Sequence, residues 1–540
     1  MKKYKLIIND LSDHDSDVAL IDNNNLICVL ETERVSKHKH SVFEKADDYL
    51  VDYIKKVYNI ADDELEIIKN ANVKYKRHHD LHAIASFLSS GYKESSVLVI
   101  DALGDQDDAI TLYYAKNNEL TELKKYFTKH SLGFMYSVAS GMLYGTINCE
   151  GKLMGLSCCA EPEYSIPSPI QFHEDGTVDI LYDQTVSDSV DQCLATYIRK
   201  KFTYLFNNDN APNTIKSNNF DSIINSDIYK AKIAATVQWW FTEQVINIVK
   251  YLKSLNPESE NLCLCGGCFL NCETNGIIDR LGLFKNIYCV SAPADNSLVL
   301  GQAQQLLPQP KVLNTAYLGP KNNLDLRKLE EIFDVHEQPN NKLISFITSG
   351  DVSYYDEVWI IERLKNNKPI LWFDGESEFG PRALGHRSFL ANPATNEMFW
   401  KLSVGIKQRE VYRPLAPITT DNLYNEIFDD PNPENLTQFM LKTVKVKEKW
   451  HEMLKAVIHV NQTARPQRLT KETNPVLYSL INRWYEKTGI PCLINTSLNM
   501  KNQPLLETFD DLKSFFVHPA ICGKCSVVIN HALCFDIQNN

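Results

Sequence analysis

Residues 4–31 read YKLIINDLSDHDSDVALIDNNNLICVLE. Three apolar runs, KLII, VALI and LICVL, are separated by the polar spacers DLSDHDSD and NNN. Short apolar runs bounded by Asn, Asp and Ser clusters read as strands, and such spacers are too short for a crossover helix. The stretch is therefore an antiparallel meander of strand, turn, strand, turn, strand. Its first strand begins almost at once, so MKKYKLIIND lacks the long apolar region of a signal peptide. The chain is expected to stay in the cytosol.

A meander of this kind opens the actin-like α/β domain of ATPases and sugar kinases. With 540 residues the chain exceeds a single core of ordinary size, so more than one domain is expected. The formal charge of -12 argues against a general nucleic-acid binder. No apolar run approaches the ~20 residues of a membrane span, so neither nucleic acid nor membrane is expected as a partner. Fourteen cysteines in a cytosolic chain read as reduced thiols. Two clusters, Cys263–Cys265–Cys268–Cys272 and Cys522–Cys525, lack a second CxxC at zinc-ribbon spacing.

Further along, KRHHDLHAIASFLSSGY has Leu81, Ile84, Ala85 and Leu88 on one helical face. His78 and His82 are four apart and project from the same side of that helix. Such a pair is either a chelate or a polar helix face. SVLVID is a strand ending in Asp101, and an acid at a strand's carboxyl end commonly faces a ligand. Glu150, Lys152 and Gly155 are expected on a turn, and residues 161–227 read as polar and irregular, the place for substrate variation. IAATVQWWFTEQVINIVKYLKSL is a buried helix. NLCLCGGCFLNC reads as a strand running into the Gly266–Gly267 turn, where backbone amides can meet a phosphate. Asp295 follows another strand and precedes a helix containing Gly301. Prolines at 308, 310 and 320 mark a boundary, giving domains 1–335 and 336–540.

The second domain carries WFDGESEFGPRALGHRSFLANP at 372–393. Glu378, Arg382, His386 and Arg387 lie close together among Gly375, Gly380, Pro381 and Gly385. Guanidinium groups bind phosphate bidentately and glycines let backbone come near, so the stretch reads as a phosphate site or as a turn with a surface ion pair. GIKQREVYRPLAP adds Lys407, Arg409 and Arg413; TARPQR adds Arg465; PCLINTSLN ends in Asn495, Thr496, Ser497 and Asn499. Gathering Arg382, Lys407, Arg413 and Arg465 in an acidic chain builds a local anion pocket.

These strings resemble the O-carbamoyltransferases typified by the NodU and CmcH proteins, whose signature is "EFGPRALG-RS". The turn at His14, the ETERVSKHKH segment, the HH and Asp101 motifs, GKLMGLS, GG-FLNC, the Asp295 motif, RPLAP, TARPQ and NTSLN follow the family's order. Ala102, Asp105, Cys158, Cys159 and Leu498 depart from it. The resemblance implies an actin-like (ASKHA), TsaD-type metal-dependent N-terminal domain and a smaller YrdC-like α/β C-terminal domain. It implies catalytic roles for His14 and Lys39 at the transferred group. It implies a metal held by His78, His82, Asp101 and Asp295: Fe(II), or another divalent ion such as Mn or Zn. Lys152, Gly266, Gly267, Asn271, Arg382, Lys407, Arg413, Arg465, Asn495 and Ser497 would bind the co-substrates ATP and carbamoyl phosphate, with Mg for adenylation. The implied activity is formation of carbamoyl-adenylate and transfer of its carbamoyl group to a hydroxyl of a small-molecule acceptor, in a chain that could form a homodimer. The competing readings are an ATPase or sugar kinase on the actin-like fold, and a carbamoyl or threonylcarbamoyl transferase acting on a macromolecule.

Overall fold

The computed structural model describes residues 2–9, 17–39, 47–146, 148–203, 228–321 and 353–537. The opening meander forms as expected. Strands β1 (Tyr4–Asn9), β2 (Asp17–Asp22) and β3 (Leu26–Glu31) pair antiparallel, and β4 (Leu65–Lys69) adds parallel to β1. Side chains alternate across these strands. Leu6, Ile8, Val18, Leu20, Cys28 and Leu30 pack with Leu50 and Ile54 of the helix Asp47–Tyr58. Ile7, Ala19, Ile21 and Val29 enter the large central core on the other face.

The same wiring then repeats. Strands β5 (Glu94–Ile100), β6 (Asp108–Lys116) and β7 (Glu119–Phe127) form a second antiparallel meander. A short hairpin, β8 (Ile170–Phe172) and β9 (Val178–Ile180), intervenes. Strand β10 (Asn261–Cys265) joins β5 in parallel and β11 (Asn286–Cys289) joins β10, in the order β11-β10-β5-β6-β7. Two tandem sheets, each a meander whose first strand takes a parallel neighbour, are the plan of the actin-like fold. The helices His78–Ser90 and Asn296–Leu306 pack against each other so closely that a Cβ on Gly301 would lie 2.5 Å from Leu81 O. This contact sets the starts of both helices side by side.

The remaining half holds β12 (Ser353–Tyr354), β13 (Ile370–Phe373), β14 (Arg387–Ala391), β15 (Ala416–Thr420), β16 (Phe428–Asp429), β17 (Val444–Val446), β18 (Thr463–Ala464), β19 (Gln467–Leu469), β20 (Leu493–Ser497), β21 (Ser526–Ile529) and β22 (Leu533–Asp536). Eight of them make one mixed sheet, β12-β22-β21-β13-β14-β20-β15-β19, and β16, β17 and β18 make a small one. The helix Pro475–Thr488 covers the large sheet, started by the Asn474 cap and stopped by Gly489 at positive φ. The fold is α/β throughout.

The expected boundary at 335/336 lies outside the described residues. The first core is not completed before it, however. Leu436, Phe439, Met440 and Leu441, far down the chain, pack into the central core. Two local expectations change. Lys152 lies on a helix, Glu150–Ser157, rather than a turn. Residues 161–203 are more ordered than their polarity suggested, with the hairpin and the helix Val190–Lys201, while 204–227 lie outside the described residues. Among the described residues no helix is long and apolar enough to cross a membrane. All fourteen cysteines are free thiols.

Candidate metal centre and cationic pocket

His78 and His82 come from the first turns of their helix, Asp101 from the end of β5, and Asp295 from the residue before the helix Asn296–Leu306. One donor atom from each lies within 4.8 Å of all the others. His82 Nε2 is 3.1 Å from His78 Nε2, 3.3 Å from Asp101 Oδ2 and 3.5 Å from Asp295 Oδ1. His78 Nε2 is 3.4 Å from Asp295 Oδ1 and 3.9 Å from Asp101 Oδ2. Ligands at about 2.1 Å from an ion sit roughly 3.0 Å apart at right angles and roughly 3.4 Å apart in a tetrahedron. The four donors therefore fit a divalent cation with little movement. Among the described residues neither cysteine cluster makes such a group.

The surroundings orient these ligands. His82 Nδ1 meets Ser297 Oγ at 2.9 Å, which directs Nε2 inward. Asp101 accepts from Ala102 N at 2.7 Å and, more weakly, from Gly267 N at 3.4 Å. Gly266 has φ +94 and packs on Ile100 O, where no side chain fits. Burial works against charge on His78, but Asp101 and Asp295 overcome it and raise its pKa to about 10. Burial likewise opposes ionised carboxylates, yet His78 and His82 hold Asp101 and Asp295 below the usual range. His79 faces away, its Nδ1 2.7 Å from Thr111 Oγ1. Asn271 caps the helix Cys272–Arg280, accepting from Thr274 N, and pairs with Gln238.

A second constellation lies in the C-terminal half and reaches the first half through Lys39. Lys407 is buried, and its Nζ donates to Ser497 O at 2.7 Å, Ser497 Oγ at 3.1 Å and Asn499. Arg409 donates to Thr496 Oγ1 at 3.1 Å and Ser497 Oγ at 3.2 Å. Burial, then Arg409, Lys39 and Arg413, pulls the Lys407 pKa well below the lysine range. Burial, then Arg413 and Arg465, brings Arg409 down to about 9, and burial with Arg465 brings Arg382 to about 9. Lys39 is exposed at its surface, but crowding around it, with Arg413 and Arg409, outweighs Glu33 and lowers its pKa. Lys39, Arg382, Lys407, Arg409, Arg413 and Arg465 thus repel one another across the junction of the two halves. Glu410 offsets only part of this charge, pairing with Lys152 at 3.1 Å and Arg413 at 3.6 Å. Such a cluster favours an anion. His14 lies outside the described residues.

The signature loop turns out mainly to build the junction. Glu378 Oε1 accepts from the backbone N–H of Leu384, His386 and Arg387. His386 stacks flat on Tyr317 at 3.5 Å, and Arg387 is buried over Phe373, donating to Asp374 O and Gly375 O. Only Arg382 of this group stays with the cations. Arg34 was visible in the ETERVSKHKH segment but was given no role; it is buried and donates to Glu31 and, at 2.5 Å, to Gly380 O of the loop. Arg409 was visible, two residues after Lys407, but not singled out as a binding residue.

The actin-like fold thus carries four grouped side chains of metal-ligand type and, apart from them, a cluster of cations. The class of protein follows from the family comparisons. The "Carbamoyltransferase N-terminus" model matches residues 42–304 and the "Carbamoyltransferase C-terminus" model residues 361–531. The chain belongs to the carbamoyltransferase family and is an enzyme that transfers carbamoyl groups. Nodulation protein NolO of Bradyrhizobium diazoefficiens is 28% identical over 452 residues, 83% of this chain and 77% of that protein. Nodulation protein U of Sinorhizobium fredii is 32% identical over 247 residues, 45% of this chain and 40% of that one. Among solved structures, component A of (R)-2-hydroxyglutaryl-CoA dehydratase from Acidaminococcus fermentans is similar over 56% of this chain and 96% of that chain, at 11% identity and TM-score 0.31. Full-length HypF is similar over 56% of this chain and 55% of that chain, at 13% identity and TM-score 0.28.

Proposed function

We propose that the chain is an ATP-dependent O-carbamoyltransferase that works through carbamoyl-adenylate. The observation that carries this is the mutually repelling cluster of Lys39, Arg382, Lys407, Arg409, Arg413 and Arg465 at the junction of the two halves. Carbamoyl phosphate, ATP and water would give carbamoyl-adenylate, pyrophosphate and phosphate in the C-terminal, YrdC-like half. Charge on the transferring phosphoryl groups is what these cations are placed to stabilise.

In the second step an acceptor hydroxyl attacks the carbamoyl carbon and AMP leaves. The hydroxyl proton needs a base, which the family resemblance assigns to His14. Lys39, within the cation cluster, stabilises negative charge on the carbonyl oxygen. His78, His82, Asp101 and Asp295 would hold a divalent ion, Fe(II) by resemblance. When bound, that ion supplies positive charge to the phosphate of the adenylate. The acceptor is read as a small molecule.

The test is an incubation with ATP, carbamoyl phosphate, Mg and Fe(II), followed by assay of pyrophosphate, AMP and a carbamoyl-adenylate mass. Pyrophosphate that appears only with carbamoyl phosphate is the expected result. Release of ADP instead would make the protein a kinase-type enzyme and end this reading.

A further inference from the structure

The sheet order β22-β21-β13 brings three strand ends side by side, with Ser526 paired to both Asp536 and Ile370. Beside them lies an open cleft of about 450 Å³. Arg363 enters it from the helix Glu357–Lys365, Lys368 from the turn before β13, and Lys524 from the turn before β21. Lys401 joins them from the π-helical segment Trp400–Ile406. Among the described residues Asp536 is the only carboxylate of the lining, and it holds two of the cations in place. Its Oδ2 accepts from Arg363 at 3.0 Å, and its Oδ1 meets Lys368 Nζ at 2.8 Å and accepts from Ser526 Oγ.

The lysines converge rather than scatter. Burial drives the Cys525 thiol up to about 12, while Lys401, Lys368 and Lys524 all pull it the other way. Three lysines acting on one thiol stand around one point. Four cations against one carboxylate leave an excess of three positive charges, in a chain whose formal charge is -12. A concave surface lined by one sign of charge concentrates ions of the other sign. The cleft is separate from the cation cluster at the junction. Strand β20, which bears Ser497, is the third along from β21, about 14 Å away at sheet spacing.

Among the described residues no aromatic or aliphatic residue lines the cleft, so a nucleobase or an acyl chain finds nothing to pack on. Charge selects the ligand instead. A phosphate group carries roughly -1.5 to -2 at neutral pH, so two of them match the excess of three. Arg363 offers a planar fork to phosphate oxygens and the lysines act as point charges. We propose that this cleft binds a diphosphate group, as a second anion site apart from the one used in the reaction. The inference goes beyond the adenylation reading and does not depend on it. Inorganic pyrophosphate and a nucleoside diphosphate both carry the group, and the bare ion fits the lining better.

The test is calorimetric titration of the full chain with pyrophosphate, ADP, orthophosphate or citrate, without turnover. Wild type would be compared with Lys368→Gln, Lys524→Gln, Arg465→Gln in the junction cluster, and Lys56→Gln on an exposed helix face. Each cleft variant should weaken one pyrophosphate site about tenfold or more. Arg465→Gln and Lys56→Gln should leave that site as it is. Lys524 is exposed, so its variant does not depend on repacking. Orthophosphate should bind at least about tenfold more weakly than pyrophosphate. ADP weaker than pyrophosphate would assign the bare ion, and ADP as tight would assign the nucleotide; either keeps the diphosphate site. Pyrophosphate binding that Arg465→Gln abolishes altogether, or that Lys56→Gln weakens as much as Lys368→Gln does, would overturn it. So would citrate bound as tightly as pyrophosphate, or no saturable binding in the wild type. None of these results touches the adenylation reading, which is tested by turnover.

Discussion

Lys442, from the second half of the chain, donates from Nζ to Asp279 Oδ2 of the first half at 2.7 Å, and both side chains are about 1% exposed. Asp430 and the carbonyl of Asn432 complete the ammonium's partners at 2.9 and 2.6 Å. Around this ion group Asn435 accepts from Ile287 N at the edge strand β11, and Thr443 N donates to Cys272 O. The segment 435–443 is thus built into the first domain, as its apolar residues Leu436, Phe439, Met440 and Leu441 also show.

Removing one partner of a buried ion group leaves the other uncompensated, which costs about 3–5 kcal/mol. Lys442→Met should lower stability by that order in urea titration. Asp279→Asn combined with it should cost less than the sum of the singles. A loss below about 1 kcal/mol would mean the group is solvated in practice. By the same logic a fragment ending at residue 335 should not fold, because it lacks the apolar plug; a soluble, cooperatively melting 1–335 fragment would contradict this.

The candidate metal centre predicts a graded response. Asp101→Asn and His82→Ala should each abolish stoichiometric metal by elemental analysis after purification with Fe(II) or Mn(II). Ser297→Ala loses only the partner of His82 Nδ1 and should weaken affinity about 10–100-fold. His79→Gln should keep the metal, since His79 faces Thr111. Equal occupancy in wild type and Asp101→Asn would dismiss the site.

Gly301→Ala probes how the centre is positioned. The added methyl would press on Leu81 O, in the same helix as His78 and His82. Rigid backbone cannot yield cheaply, so we expect about 1–3 kcal/mol of destabilisation together with weaker metal binding. Unchanged thermal stability would show that the two helices can part without cost.

Much of this was legible in the sequence for local reasons. The meander needed only period-2 apolar runs and turn residues, and the helix of His78 needed only its apolar face. Arg387 and His386 were misjudged because sequence shows charge but not what lies above it. Phe373 and Tyr317 take those side chains into the fold. The docking of 435–443 onto partners 148 to 166 residues earlier in the chain leaves no local trace, since Leu436 and Phe439 look like any apolar pair. Lys152 was placed on a turn because its glycines masked a helix that tertiary packing stabilises.

His531 gives a prediction about pH. Its Nδ1 lies 2.9 Å from Asp374 Oδ2, just past β13. That hydrogen bond, against partial burial, raises the His531 pKa above its usual value. Burial would raise Asp374, but His531 with nearby His386 and Arg387 holds it below the carboxylate range. A raised histidine stabilises the fold fully below its unfolded pKa of about 6.5, and this is lost as pH rises through the folded value. A depressed carboxyl contributes above about 3.9 and loses its contribution as pH falls through its folded value. The pair therefore helps most between roughly pH 4 and 6.5. His531 is 44% exposed on its side chain, so the effect is small. The stability gap between wild type and His531→Gln should be widest near pH 5.5 and shrink by about pH 8.5. A gap that widens over that interval would show that His531 is not protonated in the fold.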